Sequence, residues 1–134
     1  MANPYQRYKQ TAILSASKEQ VMLMLYEGAI RFTKTAIQAA KDNNIPERGK
    51  NILKAYDIIL EFQASLNHNV AGDLPKQLDQ LYTYMLDQYS KANMTGNVEA
   101  LESCLKVLEN LYDGWNQVIN KTQKNGSDQN GGAA

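Results

Sequence analysis

The sequence predicts an all-α chain: an antiparallel up-down four-helix bundle with an N-terminal arm and a disordered C-terminal tail. Two observations carry this. Four long segments repeat apolar residues at three- and four-residue spacing, and each opens on a helix-start signal. No stretch alternates apolar and polar residues with period two, so no strand is expected. Four helices joined by short polar connections favour antiparallel neighbours.

The first helix is expected from about Ser17 to Lys41. Ser17 and Gln20 fit a capping box, and Glu19 sets a carboxylate in the positive first turn. Its predicted buried stripe is Val21, Leu25, Ala29, Phe32, Ala36 and Ala40. Gly28 falls mid-helix, where glycine costs about 1 kcal/mol against alanine, and close approach of a neighbouring helix is the expected reason. The second helix runs from about Pro46 to Asn67, with Asn44 or Ile45 at the cap and Pro46 in the first turn. Its stripe is Ile52, Ala55 or Tyr56, Ile59, Phe62 and Leu66. The third runs from about Leu74 to Ala92, again opened by a proline, Pro75, with Leu78, Leu81 or Tyr82, Met85, Tyr89 and Ala92 inward. The fourth runs from about Val98 to Thr122 behind an Asn97 cap. Leu101, Leu105, Leu108, Leu111 or Tyr112, Trp115 and Ile119 form its stripe, so Trp115 is expected in the core.

This divides the chain into an arm (1–16), a bundle (17–122) and a tail (123–134) that has nothing to bury. At 134 residues and 15.0 kDa it is one domain's worth of protein. Hydrophobic residues at 43% and charged residues at 21% argue against wholesale disorder. Fourteen basic residues offset fourteen acidic ones, so no global field draws in nucleic acid or anionic lipid. The longest apolar run, Val21–Tyr26, is too short to cross a bilayer and has no cleavage site after it, so neither a membrane span nor a signal peptide is expected. A single Cys104 excludes an internal disulfide and fits a reducing compartment.

Enzyme chemistry needs a constellation that this chain lacks. The one histidine, His68, reads as a residue at a helix end; Cys104 reads as a buried inert thiol; no glycine loop suits a phosphate. No metal or cofactor is expected. What stands out is apolar surplus. Val21-Met22-Leu23-Met24-Leu25-Tyr26 is apolar through more than a turn, whereas a bundle helix buries only part of its circumference. The second helix carries a second stripe of Leu53, Tyr56/Asp57, Leu60 and Ala64, and eight tyrosines suit surfaces with one wet edge. Scattered surface apolar groups account for this; so does a groove for an amphipathic or extended partner, made adaptable by Met22, Met24 and Met85. A small bundle enzyme or apolar ligand carrier is the alternative, and a self-associating bundle is a third.

Several segments together resemble one family. Ser15-Ala16-Ser17 leads into Leu23-Met24-Leu25-Tyr26-Glu27-Gly28-Ala29-Ile30; Lys54-Ala55-Tyr56-Asp57-Ile58-Ile59 and Leu66 follow; then come Leu81-Tyr82-Thr83-Tyr84-Met85, Ala92-Asn93 and Trp115. With Tyr5-Gln6-x-Tyr8 ahead of them, they resemble the FliS family of flagellin-specific export chaperones over roughly residues 5–119. Lys18 stands where the family often has proline, and Pro75 where it has a helix former; both are helix starts. The resemblance implies a cytoplasmic bundle that is not an enzyme, binds the disordered C-terminal segment of flagellin, prevents early polymerisation and assists delivery to the flagellar export apparatus. It implies an N-terminal segment lying over part of the apolar site. The candidate partner-binding residues are Tyr5, Tyr8, Leu14, Tyr26, Ile58, Phe62, Tyr82, Met85 and Tyr89. No nucleic acid and no membrane insertion are expected, and the chain is expected as a monomer or weak homodimer.

Overall fold

The computed structural model describes the backbone of residues 17–132 and the side chains of residues 17–121. Among the described residues are four helices and no strand: α1 (Lys18–Lys41), α2 (Ile45–Ala64), α3 (Leu74–Thr95) and α4 (Val98–Gly132). Each packs on two neighbours, α1 on α2 and α4, and α3 on α2 and α4, which is the square arrangement of an up-down bundle.

The caps explain where the helices begin. The Ser17 side chain accepts from the Gln20 N–H at 3.2 Å, Asn44 from the Glu47 N–H at 3.3 Å, and Asn97 from the Ala100 N–H at 2.9 Å. Asp73 makes no such bond, and α3 starts instead on the fixed φ of Pro75. The α1–α2 connection turns on Asn43, whose φ of 55° is left-handed. Helix α2 ends at Ala64, short of the expected Asn67, with Ser65 as its C-cap; the Ser65 hydroxyl donates to the Glu61 carbonyl at 2.8 Å. Leu66 and His68 therefore lie in the connection, not on the helix. Helix α3 runs on past Ala92 to Thr95 and stops at Gly96. In α4 the backbone continues past Thr122 to Gly132, since extending a formed helix needs no new nucleus. Disorder is the expectation from sequence for 123–134, and the side chains there lie outside the described ones. Deleting residues 124–134 should leave the unfolding free energy within about 0.5 kcal/mol, checked by urea denaturation of both chains.

Gly96 takes φ +75°, and its N–H reaches the Ala92 carbonyl at 2.8 Å. A Cβ there would stand 2.6 Å from the Arg48 guanidinium, which itself donates to the Asn93 carbonyl at 3.1 Å. Gly96→Ala thus strains the backbone and pushes away the arginine that tends the end of α3. It should cost roughly 1–3 kcal/mol, read from the shift in denaturation midpoint.

The core follows the predicted stripes of α2 and α3 closely: Ile52, Ala55, Ile59 and Phe62 meet Leu78, Tyr82, Met85, Tyr89 and Ala92. In α1 the stripe is rotated from the predicted one. Leu23, Tyr26, Ala29, Thr33, Ala36 and Ile37 face inward, while Val21, Leu25 and Phe32 are half-buried. The physical reason is Thr33, which is buried yet satisfied. Its hydroxyl donates to the Ala29 carbonyl at 2.7 Å, which leaves Tyr89 Oη to donate to Thr33 at 2.7 Å. Gly28 is not held by close helix approach, because an added Cβ would meet Ile58 Cδ1 at 3.7 Å, an ordinary contact. Cys104 is fully buried against the Met85 carbonyl, and burial pushes its thiol up to about 12, so it stays protonated.

Candidate functional site

The four helices leave one end of the bundle incompletely closed. The first turns of α1, the last turn of α2 and the connection after it, the start of α3 and the later part of α4 meet there by the alternation of helix direction. Between them lies an open cleft of about 540 Å³. Val21, Met22 and Leu25 of α1, Phe62 of α2 with Leu66 just beyond it, Leu78 and Tyr82 of α3, and Trp115 of α4 line it. Lys18, Glu61, Ser65 and Asn67 supply the polar part of the lining. An apolar floor with a few polar groups around it suits an apolar ligand segment, with the polar groups setting its orientation.

The floor is held rigid from below. Phe62 stacks on Tyr26 at 4.3 Å between centroids, and its ring lies 5.9 Å from that of Tyr82. Tyr26 and Tyr82 hydroxyls pair at 3.1 Å, and Trp115 Nε1 donates to Tyr26 Oη at 3.2 Å. Burial raises the pKa of both tyrosines, so both hydroxyls stay neutral. The Tyr26–Tyr82 and Thr33–Tyr89 pairs share a sequence separation of 56. They sit two helical turns apart, as expected when α1 and α3 run parallel across the diagonal of an up-down bundle. These pairs therefore clamp the register of the helices that form the cleft.

The nine expected partner-binding residues separate in space. Phe62 and Tyr82 line the cleft, and Tyr26 lies directly beneath it with no exposure. Ile58 is half-buried in the α1–α2 seam beside Gly28, away from the cleft. Met85 and Tyr89, expected at a binding surface, are wholly buried in the core. Their neighbours on α3 carry the helix outward face, so an apolar cluster in sequence was split by helix rotation. Tyr5, Tyr8 and Leu14 lie outside the described residues. Trp115, expected in the core, is half-buried: it packs against the core cluster and also forms part of the cleft wall. Val21, Met22 and Leu25 were signalled by the apolar run, whereas Leu66, Leu78 and Lys18 carried no signal beyond ordinary helix patterning.

A second, smaller cleft of about 320 Å³ lies between α1 and α4, with Glu27, Lys34, Glu109 and Asp113 around Ile30 and Tyr112. Tyr112 donates to Glu27 Oε1 at 2.7 Å, so part of its charge is already engaged. Among the described residues, no group of three His, Cys, Asp or Glu side chains could hold a metal ion. No described helix is long and apolar enough to cross a membrane.

The chain is thus a four-helix bundle with a braced, open apolar cleft at one end. The family model for the flagellar protein FliS matches residues 1–122. The flagellar secretion chaperone FliS of Bacillus subtilis (strain 168) is 30% identical over 122 residues, covering 91% of this chain and 90% of that protein. Its counterpart in Vibrio cholerae is 31% identical over 122 residues, covering 88% and 90%. A crystal structure of a bacterial flagellar chaperone superposes with a TM-score of 0.72 at 22% identity, covering 87% of this chain and 95% of that one, and so shares the fold. The chain belongs to the FliS family, a family of flagellar secretion chaperones and not of enzymes.

Proposed function

We propose that this chain is a cytoplasmic export chaperone that binds the disordered C-terminal segment of flagellin, prevents its premature polymerisation and assists its delivery to the flagellar export apparatus. The observation that carries the reading is the open apolar cleft formed by all four helices at one end of the bundle. Covering an apolar, aggregation-prone segment needs no chemistry. It needs complementary surface, on the order of 1,000 Å² for coupled folding and binding, partly offset by ordering of the cargo. The stacked rings beneath the cleft keep that surface preorganised, which lowers the entropic cost of binding.

Lys18 is part of the cleft lining, so residues 1–16, which precede it in the sequence, are joined to the bundle beside the cleft. Their apolar groups Tyr5, Tyr8, Ile13 and Leu14 are tethered at its edge. A short tether gives an effective concentration of order millimolar, so the arm competes with cargo for the cleft. Tyr5→Ala with Tyr8→Ala should leave the bundle folded, increase binding of an apolar dye, and leave flagellin affinity equal or higher. Unchanged dye binding, self-association and affinity would leave the arm without this role. The function itself is tested by calorimetry of the full chain with a peptide copied from the C-terminal region of flagellin from the same organism. Saturable binding at one peptide per chain is expected, and no heat or binding at any concentration would overturn the proposal.

A further inference from the structure

The outward face of α2 is apolar and uncovered by the bundle. Leu53 is 54% exposed and Leu60 is 41% exposed, and they lie one heptad apart on the side opposite Ala55 and Phe62. Ala64, also exposed, extends the line by another turn. The flank toward α3 is neutral, where Gln63 reaches Asp79 and Thr83, both at 2.9 Å. The flank toward α1 is charged, and its order is informative. Two cations, Lys50 and Lys54, come first; two anions, Asp57 and Glu61, follow; all four are exposed.

That order is complementary to itself when reversed. We propose that this face binds a second copy of the chain, α2 against α2 and antiparallel, about a two-fold axis near Tyr56 and Asp57. Leu53 then faces Leu60 of the second copy, and Leu60 faces its Leu53. A two-fold axis keeps the same flank of each helix on the same side of the contact. Lys50 therefore comes level with Glu61 of the second copy, and Lys54 with Asp57 and Glu61, each within two residues, about 3 Å along the axis at 1.5 Å per residue. In a parallel pair the two-fold axis runs along the helices and carries the charged flank of each copy to the opposite side, against the neutral flank of the other, so these four charges find no partners. Lys54 Nζ rests 5.3 Å from the centre of the Phe32 ring in the single chain, so this contact is exchanged or shared when the copies meet. The match of a charge series to its own reverse is what favours a second copy over a cargo helix on this face. The proposal does not rest on the end cleft: Leu53 and Leu60 are not part of its lining, although Glu61 is.

Sedimentation of the full chain over a micromolar-to-millimolar series tests this, with two charge-reversed chains, Lys50→Glu/Lys54→Glu and Asp57→Lys/Glu61→Lys. The wild type should show a monomer–dimer equilibrium. Each reversed chain alone should dimerise about tenfold or more weakly, because one whole flank then meets its like. Mixed in equal amounts, the two reversed chains should form a heterodimer, acidic flank against basic. Leu53→Ser/Leu60→Ser should abolish association while retaining the helical spectrum, since both side chains are exposed. A wild type that stays monomeric throughout, a dimer that ignores these substitutions, or reversed chains that fail to restore association on mixing would each overturn the proposal. So would a Leu53→Ser/Leu60→Ser chain that associates normally but loses peptide binding, which would assign the face to cargo.

Discussion

Leu25→Asp should lower affinity for the C-terminal flagellin peptide by about a hundredfold or more while the bundle stays folded. Leu25 is half-buried in the wall of the end cleft, in the second turn of α1. In the free chain the new carboxylate can turn toward water, so the stability loss should stay near 1–2 kcal/mol. Cargo entering the cleft removes that water. A carboxylate desolvated without a partner costs several kcal/mol, and each 1.4 kcal/mol is a factor of ten in affinity. No basic residue lies three or four positions away on the helix to pair with it. Met94→Asp is the matched control: Met94 is 79% exposed and remote from the cleft, so the same charge placed there should leave affinity within twofold or so. Calorimetry on both variants, with circular dichroism to confirm folding, measures the difference. Equal affinities would show that cargo does not use the cleft.

Phe62→Ala should be among the most destabilising truncations, at about 3–5 kcal/mol. The ring is 7% exposed and lies against two tyrosines from two other helices. Removing it opens a void beneath the Tyr26–Tyr82 hydroxyl pair and loosens the polar bridge to Trp115. Leu60→Ala, two residues earlier and 41% exposed, should cost well under about 1 kcal/mol. Urea denaturation of the two variants separates a packing role from simple loss of apolar surface. A Phe62→Ala midpoint close to that of Leu60→Ala would mean that the stack contributes little.

The elements most legible in the sequence are those whose local signals agree. In α2 and α3 a proline near the start and branched or aromatic residues along one stripe point to the same inward face, and that face is the one buried. Helix α1 misled by hydropathy alone. Thr33 scores as polar, yet a bond to its own helix and one to Tyr89 satisfy it in the core, and this rotates the buried stripe away from Val21 and Leu25. Turned out of the core, those residues form part of the cleft wall.

The cleft itself is the lack of a covering helix at one end, a property of how four segments are cut to length. Helix α2 ends early, at Ala64, and nothing in the apolar spacing announces that. Trp115 continues a regular stripe, so spacing assigns it to the core. The open end of the bundle beside it leaves one side of Trp115 uncovered, although Ile119 four residues further on is buried. The paired hydroxyls 56 residues apart are likewise silent in sequence, because their partners meet across a diagonal set by two reversals of chain direction.

Trp115 is the one tryptophan of the chain, and it lines the cleft. Its emission during titration with the C-terminal flagellin peptide therefore reports directly on whether cargo enters there. Cargo entry should give a saturable shift to shorter wavelength with an endpoint of one peptide per chain, as the half-buried indole loses its remaining water. Saturable binding by calorimetry with unchanged Trp115 emission would contradict it.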